Sequence, residues 1–176
     1  MQSKKFKVKI NNYIFNQYHE AKNPKTEEQL TAYAIGQVTR EGDRLFIPGH
    51  QIKGAMKRAV RLLDLKLGKS KAKGLDFINS VVFVEPCTIP VKLNGKPATM
   101  KDLKLIDQMT VVDGGGKRAL KKTRHSMLPK AEIEFEVRIF ADVLDMKYIE
   151  DALAGAQLVC NLGGLITRGY GKFEIL

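Results

Sequence analysis

The chain has 176 residues, 44% of them apolar, which is enough for one domain (1–176) with an ordinary core and too apolar for a disordered chain. It holds no run of about 18 apolar residues, so no membrane-spanning helix is expected, and the N-terminal MQSKKFKVKI lacks the apolar stretch of a secretory signal. The net charge of +11 is unevenly spread: +3 over residues 1–48, +5 over 49–88, +7 over 89–130 and −4 over 131–176.

In chain order, KKFKVKINNYIF alternates Phe6, Val8 and Ile10 with Lys5, Lys7 and Lys9, the period of a half-buried strand. Residues 16–45, with NPKTEEQ at their centre, form a polar stretch too long for a turn; they are a functional loop or contain a short helix. RLFIP is a short extended segment. After Pro48-Gly49, HQIKGAMKRAVRLLDLKL predicts an amphipathic helix with Ile52, Met56, Ala59, Val60 and Leu63 inward and Lys53, Lys57 and Arg61 on another face. KSKAKG closes it as a basic linker, and NSVVFVEP is a buried strand by its β-branched content.

Residues 89–130 show no sustained period and contain NGKP, DGGGKR and KKTRHS, an insertion with room for a hairpin. EIEFEVRIF alternates strictly, placing Ile133, Phe135, Val137 and Ile139 on one face of a strand. DVLDMKYIEDALAGAQLVCN predicts a second helix, N-capped by Asp145, with Met146, Ile149, Leu153, Ala156 and Val159/Cys160 inward. A glycine-rich loop and a last strand, YGKFEIL, end the chain. The order strand, helix, strand, insertion, strand, helix, strand is the βαββαβ pattern of an α+β, ferredoxin-like (RRM-like) fold: an antiparallel sheet with two helices on one face. RNA-recognition modules bind single strands on the other face of such a sheet.

The lysine excess concentrated before residue 131 is the footprint of a polyanion, most often nucleic acid; a solvated lysine surface is the competing explanation. Catalytic signatures are few. Gly68-Lys69-Ser70 would end a phosphate loop, but Leu63 stands where its first glycine belongs, and the lysine of DGGGKR is not followed by Ser or Thr. His19, His50 and His125 have no metal-ligand spacing, and Asp102, Asp107 and Asp113 have none in common, so no metal and no cofactor are expected. Cys87 and Cys160, in no CxxC or Cys/His pattern, read as reduced and buried in a cytoplasmic protein.

Two segments carry most of the functional signal. In FIPGHQIKGAMKRAVR, Pro48-Gly49 leads into a helix N-terminus, whose unpaired N–H groups suit phosphate. In GGLITRGYGKF, glycines let another backbone approach, Arg168 can pair a phosphate and Tyr170 can stack. Together these segments resemble the RAMP superfamily of CRISPR-associated proteins, and within it the backbone-forming subunit of type III effector complexes.

The resemblance implies a ferredoxin-like core that binds guide RNA, a hairpin "thumb" between the second and third strands that inserts between nucleotides, and like subunits stacking into a filament. It places Gly49, Gln51, Lys53, Lys57, Gly169, Tyr170 and Lys172 against the guide backbone and makes 89–130 the thumb. His50, Arg61, Lys117, Arg118, Lys121, Lys122, Arg124 and Arg168 complete the candidate RNA-binding set. Implied partners are single-stranded guide RNA, target RNA and other CRISPR effector subunits, with no membrane. The family's usual Ser-Ser or Ser-Thr after Pro-Gly is His50-Gln51 here. Members that cut target RNA use an aspartate in the preceding loop; LTAYAIGQVTREGD puts Tyr33 there, with Asp43 close to the Pro-Gly. A binding subunit without a catalytic residue is therefore expected. The alternatives are a RAMP-type endoribonuclease that processes precursor guide RNA through His19 or His125, and a small-molecule-binding or structural ferredoxin-like protein.

Overall fold

The computed structural model describes residues 1–16, 24–65, 74–114, 117–140, 144–165 and 168–176, with the backbone alone at 74, 75, 77, 110, 112–114, 117 and 118. In chain order the elements are β1 (Gln2–Ile14), α1 (Glu27–Gly36), β2 (Arg40–Glu41), β3 (Arg44–Pro48), α2 (Gly49–Leu62), α3 (Gly74–Val81), β4 (Val82–Glu85), β5 (Thr88–Leu93), β6 (Lys96–Pro97), a 3₁₀ turn (Met100–Asp102), β7 (Lys104–Gly114), β8 (Lys117–Ile139), α4 (Met146–Val159) and β9 (Lys172–Ile175).

Alternation in the first and third predicted strands builds the centre of the sheet. Phe6, Val8 and Ile10 of β1 and Ile133, Phe135, Val137 and Ile139 of β8 are buried, and the strands pair antiparallel in one register from Gln2↔Ile139 to Ile14↔Met127. β9 lies on the other edge of β1 and β4 pairs with the end of β8, both antiparallel, giving the order β9-β1-β8-β4. β5 continues the β4 side of β8 at Glu132 and Ile133 and carries β3 and β2 beyond it.

Helices α2 and α4 pack on each other. Ile52, Ala55, Met56, Ala59 and Val60 of α2 and Ile149, Ala152, Leu153 and Ala156 of α4 are buried. The close approach falls at Gly155, where a Cβ would stand 2.9 Å from Leu63 Cδ1. Asp145 caps α4 by accepting from the Lys147 N–H at 3.0 Å.

The opposite face of the sheet is charge-balanced. Lys7 pairs with Glu132 at 3.6 Å, Lys92 with Glu134 at 3.4 Å and Arg138 with Glu85 at 3.1 Å. The acidic excess after residue 130 is thus partly spent on this face, which offers a polyanion little net attraction.

Some alternatives are decided and other expectations change. Within residues 16–45 the short helix is present as α1, started by the reciprocal capping box of Thr26 and Gln29, and the two-residue strand β2 follows it. The first three residues of NSVVFVEP end α3, and only VFVE is strand. Residues 89–130 are mostly strand: β5, β6, β7 and the first part of β8, which runs on without a break into EIEFEVRI. Leu63 and Val159 are 40% and 38% exposed, Leu63 touching α4 with one methyl at Gly155 and Val159 ending its helix, and Cys87 is exposed where burial was expected. Among the described residues no helix is long and apolar enough to cross a membrane.

Candidate nucleic-acid interface

The glycine-rich loop wraps the C-terminal end of β1. Gly164 N–H donates to Ile14 O at 2.9 Å, Leu162 N–H to Gly171 O at 2.8 Å, and Gly171 N–H to Asn11 O and Asn12 O at 3.1 and 3.0 Å. Gly163 (φ +84°) and Gly171 (φ +74°) serve this wrapping, since a Cβ on either would land on the carbonyl oxygen of Ile14 or Leu162. Gly169 differs: its φ is +82°, yet among the described residues nothing lies within 4 Å of where its Cβ would stand. Its lack of a side chain serves the turn and leaves backbone open outward.

At the start of α2, several predicted contact residues are engaged within the fold. Gly49 is buried, donates to Cys87 O at 2.7 Å, and has Pro86 O 3.1 Å from its would-be Cβ. Gln51 accepts from the Tyr13 hydroxyl at 2.8 Å and donates to Asn16 Oδ1 at 3.0 Å. Burial pushes the Tyr13 hydroxyl pKa well up, against a smaller downward pull from Gln51. Lys53 Nζ donates to Asn79 O and Val82 O at 2.8 and 2.9 Å, holding the end of α3 against α2. Burial, and then Lys57, lowers the Lys53 ammonium pKa.

Residues directed outward on α2 are His50, Gly54, Arg58 and Arg61, with Lys57 half-buried. Gln51, Gly54 and Arg58 line a cleft of about 160 Å³ with Asn16, Asn161 and Gly163. Here the structure brings the two motif segments together. Arg58 escaped the sequence reading because the four-residue stripe Lys53-Lys57-Arg61 drew attention away from the neighbouring face. Positions 51, 54, 58 and 61 also recur at helical spacing, and that was the available signal.

Strands β7 and β8 form a long ribbon gripped on both faces. On one face Arg124 bonds Asp107 (2.6 and 2.8 Å), Glu27 Oε2 (2.7 Å) and Thr31 (2.9 Å), and Lys122 reaches Glu27 (2.6 Å) and Asp107 (3.0 Å). Ser126 Oγ donates to Ala34 O at 2.8 Å, so α1 is fastened to the ribbon. Hydrogen bonds from Arg124 and then Lys122 hold the Asp107 carboxyl far below its ordinary pKa, and those from Lys122 and then Arg124 lower that of Glu27. The same partners raise the Lys122 and Arg124 values, Lys122 chiefly through Glu27 and Arg124 chiefly through Asp107. Both predicted RNA-contacting cations are therefore ion-paired here.

On the other face, Gln108 joins the ribbon to the glycine loop: its Nε2 donates to the Tyr170 hydroxyl at 3.1 Å and its Oε1 accepts from Arg168. His125 sits alongside, half-buried, with Nε2 at 3.0 Å from Thr123 Oγ1. Burial, and then Arg168, lowers its pKa, so the ring is neutral at pH 7. Gln108 was not legible as a functional residue, because it lies in a segment with no recognised period. Lys121 pairs with Thr110 across the ribbon, and Lys172 is exposed opposite Asn11 at the start of β9. The side chains of Lys117 and Arg118, and His19 entirely, lie outside the described residues. Asp102 caps the 3₁₀ turn through Thr99, and among the described residues no His/Cys/Asp/Glu group could hold a metal.

The model of the RAMP superfamily matches residues 28–174. Among solved structures, the fold is similar to a chain of the type III-B Cmr-beta complex bound to cognate target RNA, determined by cryo-EM (18% identity, TM-score 0.55, covering 99% of this chain). This chain spans only 59% of that one's length. It is also similar to a chain of a type IV-B CRISPR complex (14% identity, TM-score 0.53, 98% of this chain and 89% of that one) and to Cmr6 from Pyrococcus furiosus (12% identity, TM-score 0.48, 98% and 97%). No curated protein matches the sequence.

Proposed function

The chain belongs to the RAMP superfamily, and from that premise we propose that it is an RNA-binding subunit of a cytoplasmic CRISPR effector ribonucleoprotein. It grips the guide RNA backbone with the outward face of α2 and the glycine-rich loop, and assembles with other effector subunits and with copies of itself. The order β9-β1-β8-β4 with α2 and α4 supports a ferredoxin-like core. In that reading the β7–β8 ribbon is the thumb.

The observation that carries the proposal is the convergence of the two motif segments. Gly54 and Arg58 face Asn161 and Gly163 across one cleft, and Gly169 in the same glycine-rich loop holds left-handed backbone with no neighbour at its would-be Cβ among the described residues. Arg58, Lys57 and Arg61 supply charge along α2, and Lys172 supplies it at the foot of β9. The glycines allow a sugar-phosphate chain close to the main chain.

The test is a titration of labelled single-stranded RNA across salt concentrations. Affinity should fall linearly with log salt, with a slope of roughly −0.7 per neutralised phosphate and little dependence on sequence. Arg58→Ala should weaken binding to all sequences alike while circular dichroism stays unchanged. Affinity indifferent to salt, or a folded Arg58→Ala that binds normally, would refute the assigned surface.

A further inference from the structure

The cleft between α2 and the glycine-rich loop carries three features that fit a ligand better than they fit the packing of the fold. The first is a chain of oriented amides. Tyr13 is wholly buried and its hydroxyl donates to Gln51 Oε1 at 2.8 Å, which turns Gln51 Nε2 outward to donate to Asn16 Oδ1 at 3.0 Å. Asn16, exposed in the cleft wall, thus has its carboxamide oriented by a buried group, and a carboxamide carries two N–H donors beside an oxygen with two lone pairs.

The second feature is Gly54, in the middle of α2. Glycine inside a helix is less stable than alanine. Yet among the described residues nothing lies within 4 Å of where a Gly54 Cβ would stand, so packing does not demand it. The third is the placement of charge. Arg58, one turn along α2 from Gly54, brings a guanidinium to the cleft, and the rest of the lining is uncharged.

We propose that this cleft seats a ribose of the bound RNA, and that Asn16 and Gln51 hydrogen-bond its 2′-hydroxyl, so that the site selects RNA over DNA. A hydroxyl both donates and accepts, and an amide offers both partners side by side. A phosphate oxygen only accepts, and it would set its charge against the amide oxygens. The size agrees, since about 160 Å³ falls well short of the roughly 300 Å³ at which small-molecule pockets begin and leaves room for a sugar but not for a whole nucleotide. The missing Cβ of Gly54 lets the sugar ring approach the helix backbone, and Arg58 then meets a phosphate beside it. Contacts to sugar and phosphate carry no base information, so selection of the polymer goes together with indifference to its sequence.

The inference rests on the RNA-binding reading above, and the experiment separates the two. Single strands of one sequence with ribose, 2′-deoxyribose or 2′-fluoro sugars are titrated against the full chain at fixed salt. The wild type should bind the ribose strand about fivefold more tightly than either of the others, the worth of one neutral hydrogen bond, because a fluorine keeps the ribose pucker but cannot donate. Asn16→Ala should lower affinity for the ribose strand about fivefold, with no matching loss on the deoxy strand and the same salt slope. Gly54→Ala should raise the urea midpoint and still weaken binding, a combination that a purely structural glycine does not produce. Equal binding of the three strands by the wild type, with ordinary salt dependence, overturns the ribose seat and leaves the backbone contact standing. A 2′-fluoro strand that binds like ribose also overturns it, as does an Asn16→Ala loss equal on ribose and deoxy strands or a Gly54→Ala variant of undiminished affinity. Failure of the wild type to bind any strand overturns the RNA-binding reading, and the seat with it.

Discussion

Gly169 and Gly171 are two residues apart in one loop and both hold positive φ, yet alanine should affect them very differently. At Gly169 the penalty is the left-handed backbone, about 1–2 kcal/mol, because among the described residues no atom lies within 4 Å of the added carbon. At Gly171 the same strain applies, and the new Cβ also lands on the Leu162 carbonyl oxygen, an atom that cannot rotate away. The loop must then open, giving up the Leu162 N–H bond to Gly171 O and the Gly171 N–H bonds to Asn11 and Asn12. At about 1 kcal/mol net for each, the total for Gly171→Ala comes to roughly 4–5 kcal/mol. Urea denaturation should show the Gly171→Ala midpoint well below that of Gly169→Ala, which itself falls below the wild type only by the backbone strain. Gly169→Val should remain folded and lose RNA affinity, since its side chain stands where the sugar-phosphate chain approaches. Equal midpoints for the two alanine variants would refute the packing argument, and normal RNA binding by a folded Gly169→Val would reduce that glycine to a turn former.

Tyr13→Phe should cost about 1–2 kcal/mol in the same assay, because Gln51 Oε1 loses its buried donor; a neutral result would mean that Gln51 repacks onto Asn16 without penalty. Gln108→Ala should cut the ribbon from the glycine loop and speed amide exchange at 168–171 without moving the urea midpoint of the core; unchanged exchange would refute the clamp. Glu27 and Asp107 have depressed pKa values in the fold, so their contribution is complete above the unfolded value of about 4 and is lost as pH falls from there through the folded values. The stability difference between wild type and Asp107→Asn should therefore shrink between pH 7 and pH 3, and a constant difference would show that the ion network contributes nothing.

Strong periodicity was legible and weak periodicity was not. The inward faces of β1, α2, β8 and α4 could be read because alternation or helical spacing repeats there over two turns or more. Helix α1 was legible only as one of two alternatives, because Ala32, Tyr33 and Ile35 leave no polar face opposite Leu30 and Ala34, and the Thr26–Gln29 capping pair is its clearest mark. The ribbon was legible only as room for a hairpin, for a related reason. Both its faces are covered in part, by α1 and by the glycine loop, so neither strand alternates cleanly. Net charge marked the stretch 89–130 without showing what its charges meet: Lys122 and Arg124, in its most basic run, face carboxylates of α1 and β7, and Arg58 on a less basic stretch faces the cleft. Composition counts charges, and only the register decides which of them meet an internal partner.

A functional motif can act through contact or through geometry, and the two leave different marks on salt dependence. Lys53 belongs to the motif by sequence but spends its ammonium on Asn79 O and Val82 O, so its removal leaves two carbonyls short of a donor and loosens α3 from α2. Arg58 bonds none of these and stands over the cleft between α2 and the glycine loop. If RNA is bound there, Arg58→Ala should lower the magnitude of the log K versus log salt slope by roughly 0.7, one phosphate contact fewer. Lys53→Ala should reduce affinity through displaced geometry and lower the urea midpoint, with the slope unchanged. Methionine at position 53 keeps the apolar stem but not the donor, and it should behave like alanine in the slope while recovering part of the stability. A slope that falls with Lys53→Met and stays constant with Arg58→Ala would reverse the assignment and make Lys53 the phosphate ligand.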